Sequence, residues 1–263
     1  MRVVICDTAA EATERVAALI TGALRDKPDT ILGLATGGTM EPLYRALVAA
    51  HDAGLSFAHA TTFNLDEYVG LAPNHPQSYA HYMRRHLFEH VDIAPVRCFL
   101  PSGLGDPAEA SRRYEDLLST HGPIDLQLLG IGHNGHIGFN EPGSALTSLT
   151  REKALSRTTL KANQRFFDDP AAMPQTAITM GIGSICRARA IVLLALGPEK
   201  SRPVRAMIEG PLSAFCPASA LQLHRNVTVV LDPGAAAGLE LRDHYTFAER
   251  IQRAREKGKR LRS

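Results

Sequence analysis

The stretch LQLLGIGHNGHIGFNEPG, residues 126–143, decides how the chain reads. It opens on a largely apolar run, Leu126–Ile131, of the kind that forms a strand covered on both faces. Four glycines follow, Gly132, Gly135, Gly138 and Gly143, and they imply a contorted loop whose backbone comes close to a ligand. His133 and His136 can titrate near neutral pH, and Glu141 can orient an imidazole. A glycine-rich turn with a structural histidine is the plainer reading. It leaves unexplained why so many polar residues stand directly after a buried strand. Two histidines and one glutamate are also potential metal ligands. The HExxH spacing is absent and no cysteine is nearby, so no metal is expected.

Working outward, strands are expected at Val3–Cys6, Ile31–Ala35, Ala60–Leu65, Ala190–Leu196 and Val227–Leu231 as well. Helices are expected at Glu11–Leu24, Glu41–Ala53, Gln77–Phe88, Pro107–Thr120 and Arg202–Glu209. Alternation of this kind implies βαβ crossovers and a mostly parallel central sheet, an α/β fold. In such sheets ligands bind beyond the carboxyl ends of the strands. Residues 144–173 are the least regular and carry Arg151, Lys153, Lys161 and Arg165. A long irregular insertion in a compact domain is often a binding loop. We expect one domain, 1–263, with a mobile lid within about 144–173.

The residues after the other strands are equally informative. Ile31–Ala35 leads into Thr36-Gly37-Gly38-Thr39 and a helix opening near Glu41-Pro42. Backbone N–H groups and a helix N-terminus there would suit a phosphate, although a tight βα turn would use the same glycines. No Lys-Ser/Thr follows, so a nucleoside triphosphate is not expected. Ala60–Leu65 leads into Asp66-Glu67, adjacent carboxylates that point to opposite faces of extended backbone. One of them is placed either to abstract a proton beside a carbonyl or to cap the next turn. Ala190–Leu196 leads into Gly197-Pro198-Glu199-Lys200. Lysine at a helix start opposes the helix dipole unless an anion sits there, which makes Lys200 a second candidate phosphate ligand. Asp232-Pro233-Gly234 reads as a turn.

Composition narrows the class. The formal charge is only +2, and the one dense basic run is the tail Arg250–Arg262, read as a solvated helix end; no nucleic-acid partner is expected. Cys6, Cys98, Cys186 and Cys216 are far apart, as in a reduced protein without a CxxC pair. No run approaches the ~18–20 apolar residues of a membrane span, and no signal peptide precedes Val3. A cytoplasmic protein with no membrane association is expected.

Taken together, GLATGGTMEPLY (33–44), TFNLDEYVGL (62–71), HPQSY (75–79), GIGHNGHIGFNEPGSAL (130–146), NQRFF (163–167) and LGPEK (196–200) resemble the glucosamine-6-phosphate deaminase (isomerase) family. The resemblance spans essentially the whole chain, and LDEYVGL and GHIGFNEPG are its specific segments. It implies a Rossmann-like three-layer fold, no cofactor, and conversion of glucosamine 6-phosphate and water to fructose 6-phosphate and ammonia in amino-sugar catabolism. Asp66 then resembles the base that moves a proton between C2 and C1 through an enolamine. His136 resembles the ring-opening acid/base, Glu141 the group that orients it, and Asn134 the link between them. Many members carry Asp at position 134; Asn can hold an imidazole but supplies no charge. The implied phosphate ligands are Thr36, Gly37, Gly38, Thr39, Arg165 and Lys200. Some members are hexamers with an activator site, to which Ser144, Arg151 and Lys153 would correspond, with a tyrosine near Tyr245. Ala154 lacks the hydroxyl of the regulated members. The partner is thus a small sugar phosphate, with a homo-oligomer as a further expectation.

Two other readings compete. A 6-phosphogluconolactonase would share the cradle and the Gly-His loop but needs no proton-shuttling Asp66. A non-catalytic sugar-phosphate sensor usually adds a DNA-binding domain, and this chain begins directly with its first strand.

Overall fold

The computed structural model describes residues 1–164, 167 and 172–260. In chain order the strands and helices are β1 (Arg2–Ile5), α1 (Ala9–Asp26), β2 (Ile31–Leu34), α2 (Glu41–Asp52), β3 (Thr61–Asn64), β4 (Asp66–Tyr68), α3 (Tyr79–His86), β5 (Cys98–Phe99), α4 (Pro107–His121), β6 (Leu126–Leu129), β7 (Arg151–Ala154), α5 (Arg157–Asn163), β8 (Thr176–Thr179), α6 (Ile182–Ile185), β9 (Ala190–Ala195), α7 (Ser201–Ile208), β10 (Val227–Leu231) and α8 (Arg242–Arg260). Seven strands form a wholly parallel sheet in the order β1-β10-β9-β6-β2-β3-β5. Strands such as AIVLLA of β9 and VTVVL of β10 are nearly all buried, because helices flank the sheet. This is the α/β fold expected from the alternation.

Local sequence explains the helix limits. Thr8 caps α1 by accepting the Glu11 N–H at 3.1 Å, and the Glu11 carboxylate reaches back to the Asp7 N–H at 2.8 Å. Asp106 caps α4 and Pro107 occupies its first turn. The basic run as far as Arg260 belongs to α8, which docks on β1 through the buried Glu249 carboxylate. Its partners are Arg2 at 2.6 Å and Arg253 at 2.7 Å.

A second, antiparallel sheet was not legible in the sequence: β4-β8-β7, with Asp66 opposite Thr179 and Arg151 opposite Thr179 on the other side. The run expected as one strand at Ala60–Leu65 therefore ends at Asn64, and Asp66 is the first residue of a strand in the other sheet. Within 144–173, expected to be irregular, β7 and α5 are regular elements. β7 was hidden because its REKA sequence alternates half-exposed and exposed positions and contains no apolar face.

From β2 the chain moves outward through β3 to β5, then returns to the other side of β2 as β6 and continues outward through β9 and β10. The direction of winding thus reverses between β2 and β6, where a crevice opens at the strand ends. The two strands pair at Leu32–Leu126 and Gly33–Gln127. Gly33 is required there: a Cβ on it would stand 2.1 Å from Gln127 Oε1, and Gln127 is fully buried with its amide donating to Leu128 O. Gly33→Ala is expected to lower the urea midpoint at unchanged slope, by about 1–3 kcal/mol of overpacking. Shortening Gln127 to Ala in the same chain should recover part of that loss.

Candidate active site

The crevice holds a cleft of 680 Å³ that gathers the loops after β2, β6 and β9 together with β4 and α5. Thr36, Gly37, Gly38 and Thr39 line one wall, Lys200 another, and Asp66, Asn134 and His136 the floor. Glu141 stands behind Asn134, out of the cleft's lining. Segments far apart in the sequence thus meet in one cleft. Arg165 lies outside the described residues.

The Thr36–Thr39 turn is held from behind by two tyrosines. Tyr44 donates its hydroxyl to Ala35 O, and Tyr82 of α3 donates to Gly37 O at 2.9 Å. No side chain caps α2, so the N–H groups of its first turn keep their free donors beside this loop. Lys200 is fixed from the neighbouring strand. Both carboxylate oxygens of Asp232 accept the Gly197 N–H at 3.0 Å, and Oδ1 also accepts from Ala235 N at 2.8 Å. Asp232, read from sequence as an ordinary turn residue, therefore ties the loop after β10 to the one bearing Lys200. Burial lowers the Lys200 ammonium from its ordinary value, with Glu199 opposing. The Lys200 charge, followed by burial, lowers His133 in turn. Among the described residues Lys200 forms no salt bridge, which leaves a cation aimed at the cleft without a counter-ion.

The adjacent carboxylates Asp66 and Glu67 part company here. Glu67 is a helix cap: it accepts the N–H groups of Tyr79 and Ala80 at the start of α3, each at 2.9 Å, and that of Tyr68 at 2.9 Å. Asp66 faces the cleft, close to Gly138, where an added Cβ would stand 3.4 Å from Asp66 Oδ2. No donor reaches its carboxylate among the described residues. Burial first, and then the charge of Glu67, push Asp66 up to about 8.

His136 lies flat over Gly132, whose missing Cβ would otherwise meet the imidazole at 2.2–2.4 Å. Its Nδ1 is 2.7 Å from Asn134 Oδ1 and 3.6 Å from Glu141 Oε2, and Asn134 Nδ2 donates to Glu141 Oε2 at 2.6 Å. A carboxylate only accepts, so the amide nitrogen of Asn134 must face Glu141 and its oxygen must face the imidazole. His136 therefore carries a proton on Nδ1, and Nε2, turned away from this pair, is the nitrogen that can gain or lose one. Burial would raise Glu141, but the His136 imidazole, the Thr159 hydroxyl and the Asn134 amide outweigh it and hold the carboxyl at about 2.

Four polar cleft residues were given no role by the sequence reading: Tyr79 of α3 and Thr158, Thr159 and Asn163 of α5. They belong to helices remote in sequence from the strand ends. The residues considered for an activator are placed apart from the cleft lining. Arg151 donates to Asn140 Oδ1 at 2.7 Å, the Ser144 hydroxyl is buried without a partner, and Lys153 lies in β7 opposite Ala177. No hydrogen bond joins Ser144 to Arg151 or Lys153 among the described residues. No group of three His, Cys, Asp or Glu side chains among them could hold a metal ion. No helix among them is long and apolar enough to cross a membrane.

A doubly wound α/β protein with a buried lysine, a glycine-containing turn at a helix start and a hydrogen-bonded histidine at its switch point is the class these features define. The model of the family described as glucosamine-6-phosphate isomerases/6-phosphogluconolactonase matches residues 6–230, and the chain belongs to that family. The glucosamine-6-phosphate deaminase of Hahella chejuensis is 50% identical over 95% of this chain and 96% of its own. That of Rhodopirellula baltica is 52% identical over 88% and 93%. Among solved structures, one described as a monomeric glucosamine-6-phosphate deaminase superposes with a TM-score of 0.89 at 45% identity, covering 90% of this chain and all of that one. The 6-phosphogluconolactonase of Leishmania guyanensis, with a TM-score of 0.74 at 23% identity over 90% of this chain and 98% of its own, shares the fold.

The Asp66 value has a consequence for stability. The native carboxyl stays protonated up to about 8, whereas in the unfolded chain it ionises near an ordinary ~3.9. The native state therefore holds the extra proton between these values, and stability contributed by this group falls as pH rises through that window. Asp66→Asn removes the effect. Its stability advantage over the unaltered chain is expected to grow from pH 4 to pH 8 and to level off above. A pH-independent difference in thermal midpoints would show that Asp66 is not shifted.

Proposed function

We propose that the protein converts glucosamine 6-phosphate and water to fructose 6-phosphate and ammonia, in the cytoplasm, without a cofactor. The observation that carries this reading is the meeting in one cleft of a buried, donor-free carboxylate, a histidine with a free Nε2, and a phosphate-type turn facing an unpaired lysine, in a chain of this family.

The phosphate sits on the N–H groups of residues 36–39 and on Lys200, with Arg165 as a clamp carried over from the family motif. Phosphate also completes the charge balance around Lys200. His136 Nε2 takes the proton of the sugar's O1 hydroxyl and returns one to the ring oxygen, opening the ring to the aldehyde. Asp66 then removes the proton from C2, giving an enolamine, and delivers it to C1. The resulting C2 imine adds water and releases ammonia, leaving the ketose. An ammonium group arriving near Asp66 favours its ionised form, so substrate binding itself prepares the base. Residues of about 144–173 act as a lid, with α5 covering the sugar through Thr158 and Asn163. All the residues named come from one chain, so this chemistry asks for no partner subunit. Ser144, Arg151 and Lys153 play no part in it.

Ammonia release from glucosamine 6-phosphate and galactosamine 6-phosphate tests the reading directly, and release from neither would overturn it. Asp66→Asn is expected to lower turnover by about 10²–10⁴-fold, the range for loss of a positioned base, while the sugar phosphate still binds. Lys200→Ala should mainly raise KM for the phosphorylated sugar; an unchanged KM would remove Lys200 from the phosphate site.

A further inference from the structure

We propose that Thr159 of α5 is a positioning residue, whose hydroxyl, backed by Ser156, holds the charge of Glu141 against the Asn134–His136 pair. This rests on the reading of His136 as the ring-opening acid/base.

The two oxygens of Glu141 do different things. Oε2 accepts from Asn134 and faces His136 Nδ1 at 3.6 Å. Oε1 accepts the Thr159 hydroxyl and lies 3.4 Å from the Ser156 N–H. Glu141 and Thr159 are both buried. Since the carboxylate can only accept, the single Thr159 hydroxyl proton must go to Glu141, and Thr159 Oγ1 is left to accept from Ser156 Oγ at 3.0 Å. Ser156 in turn accepts the Thr159 N–H at 3.2 Å as the cap of α5. A hydrogen-bonded chain thus joins the helix cap to the imidazole, with donors converging on Glu141 from both ends: Ser156 and Thr159 on one side, His136 and Asn134 on the other.

Position 134 makes this chain consequential. A neutral amide links carboxylate and imidazole, so within this chain the negative charge that steadies a protonated His136 comes from Glu141, across 3.6 Å. That attraction depends directly on the carboxylate's distance and orientation, and among the described residues the groups holding its outer oxygen belong to the start of α5. The charged and titratable groups sharing the cleft with His136 are Asp66 of β4, Tyr79 of α3, His133 of its own loop, and Glu199 and Lys200 after β9. A change at Thr159 alters none of them.

Thr159→Val keeps the shape and deletes the hydroxyl. It is expected to lower kcat about tenfold, the factor one ordinary hydrogen bond is worth, with KM within about twofold. The His136 imidazole, followed by NMR, should titrate at lower pH than in the unaltered enzyme, and the acidic limb of kcat/KM should move the same way. Thr159→Ser should restore both. Wild-type kcat together with an unmoved His136 titration in Thr159→Val would overturn the proposal, as would failure of Thr159→Ser to restore them. If Thr159→Val does not fold, Thr159→Ala and Ser156→Ala carry the same expectation with the same readouts. His136→Gln, assayed in parallel, separates the two levels. Full activity in that variant defeats the acid/base reading itself, whereas impaired His136→Gln beside unimpaired Thr159→Val defeats only the role of Thr159.

Discussion

Two residue pairs, Leu32–Leu126 and Gly33–Gln127, join β2 to β6, and the site hangs on that seam. The Thr36–Thr39 turn leaves one of these strands and the Gly132–Gly138 loop leaves the other, in opposite directions of winding. If the pairing slipped by one residue, every side chain of the displaced strand would change face, and the two loops would lose their common crevice. The fit of the Gln127 amide over the bare α-carbon of Gly33 helps to fix that register. The apolar strands on either side, buried under flanking helices, fix the rest.

On this frame the structure separates charges of like kind by giving them unlike surroundings. Asp66 and Glu141 are both buried carboxylates. Asp66 has no donor and a neighbouring anion, and it is driven up to about 8; Glu141 has a hydroxyl, an amide and an imidazole around it, and it is driven down to about 2. The same residue chemistry is thereby split into a group that holds a proton and one that keeps a permanent charge, the usual signature of an acid–base site. Glu67, next to Asp66, takes a third part as the cap of α3.

Six strands of the large sheet and the loops that leave them were legible, because a strand buried on both faces writes a continuous apolar run and its functional loop follows at once; the two-residue, half-buried edge strand β5 was not. The division of labour between Asp66 and Glu67 was not. It depends on α3 coming to Glu67 from Tyr79 onward, a contact no local pattern announces. The small sheet escaped for a similar reason: β4 has three residues, and β7 gains its pairing from β8 and carries no apolar face of its own. Tyr79, Thr159 and Asn163 reach the cleft from helices, where the spacing that signals a buried face says nothing of what lies opposite. Asp232 looked like punctuation after β10, and only the packing of that turn against Gly197 gives it a second duty.

The joint between the two sheets is a single residue. Leu65 follows β3 and precedes β4, donating its N–H to Leu34 O in the large sheet and accepting from Met180 N beside the small one. Asp66, one residue beyond, therefore takes its position from the register of the large sheet and from the Thr36–Thr39 turn that leaves β2, whereas α5, which follows the outermost strand β7, lies two strands away.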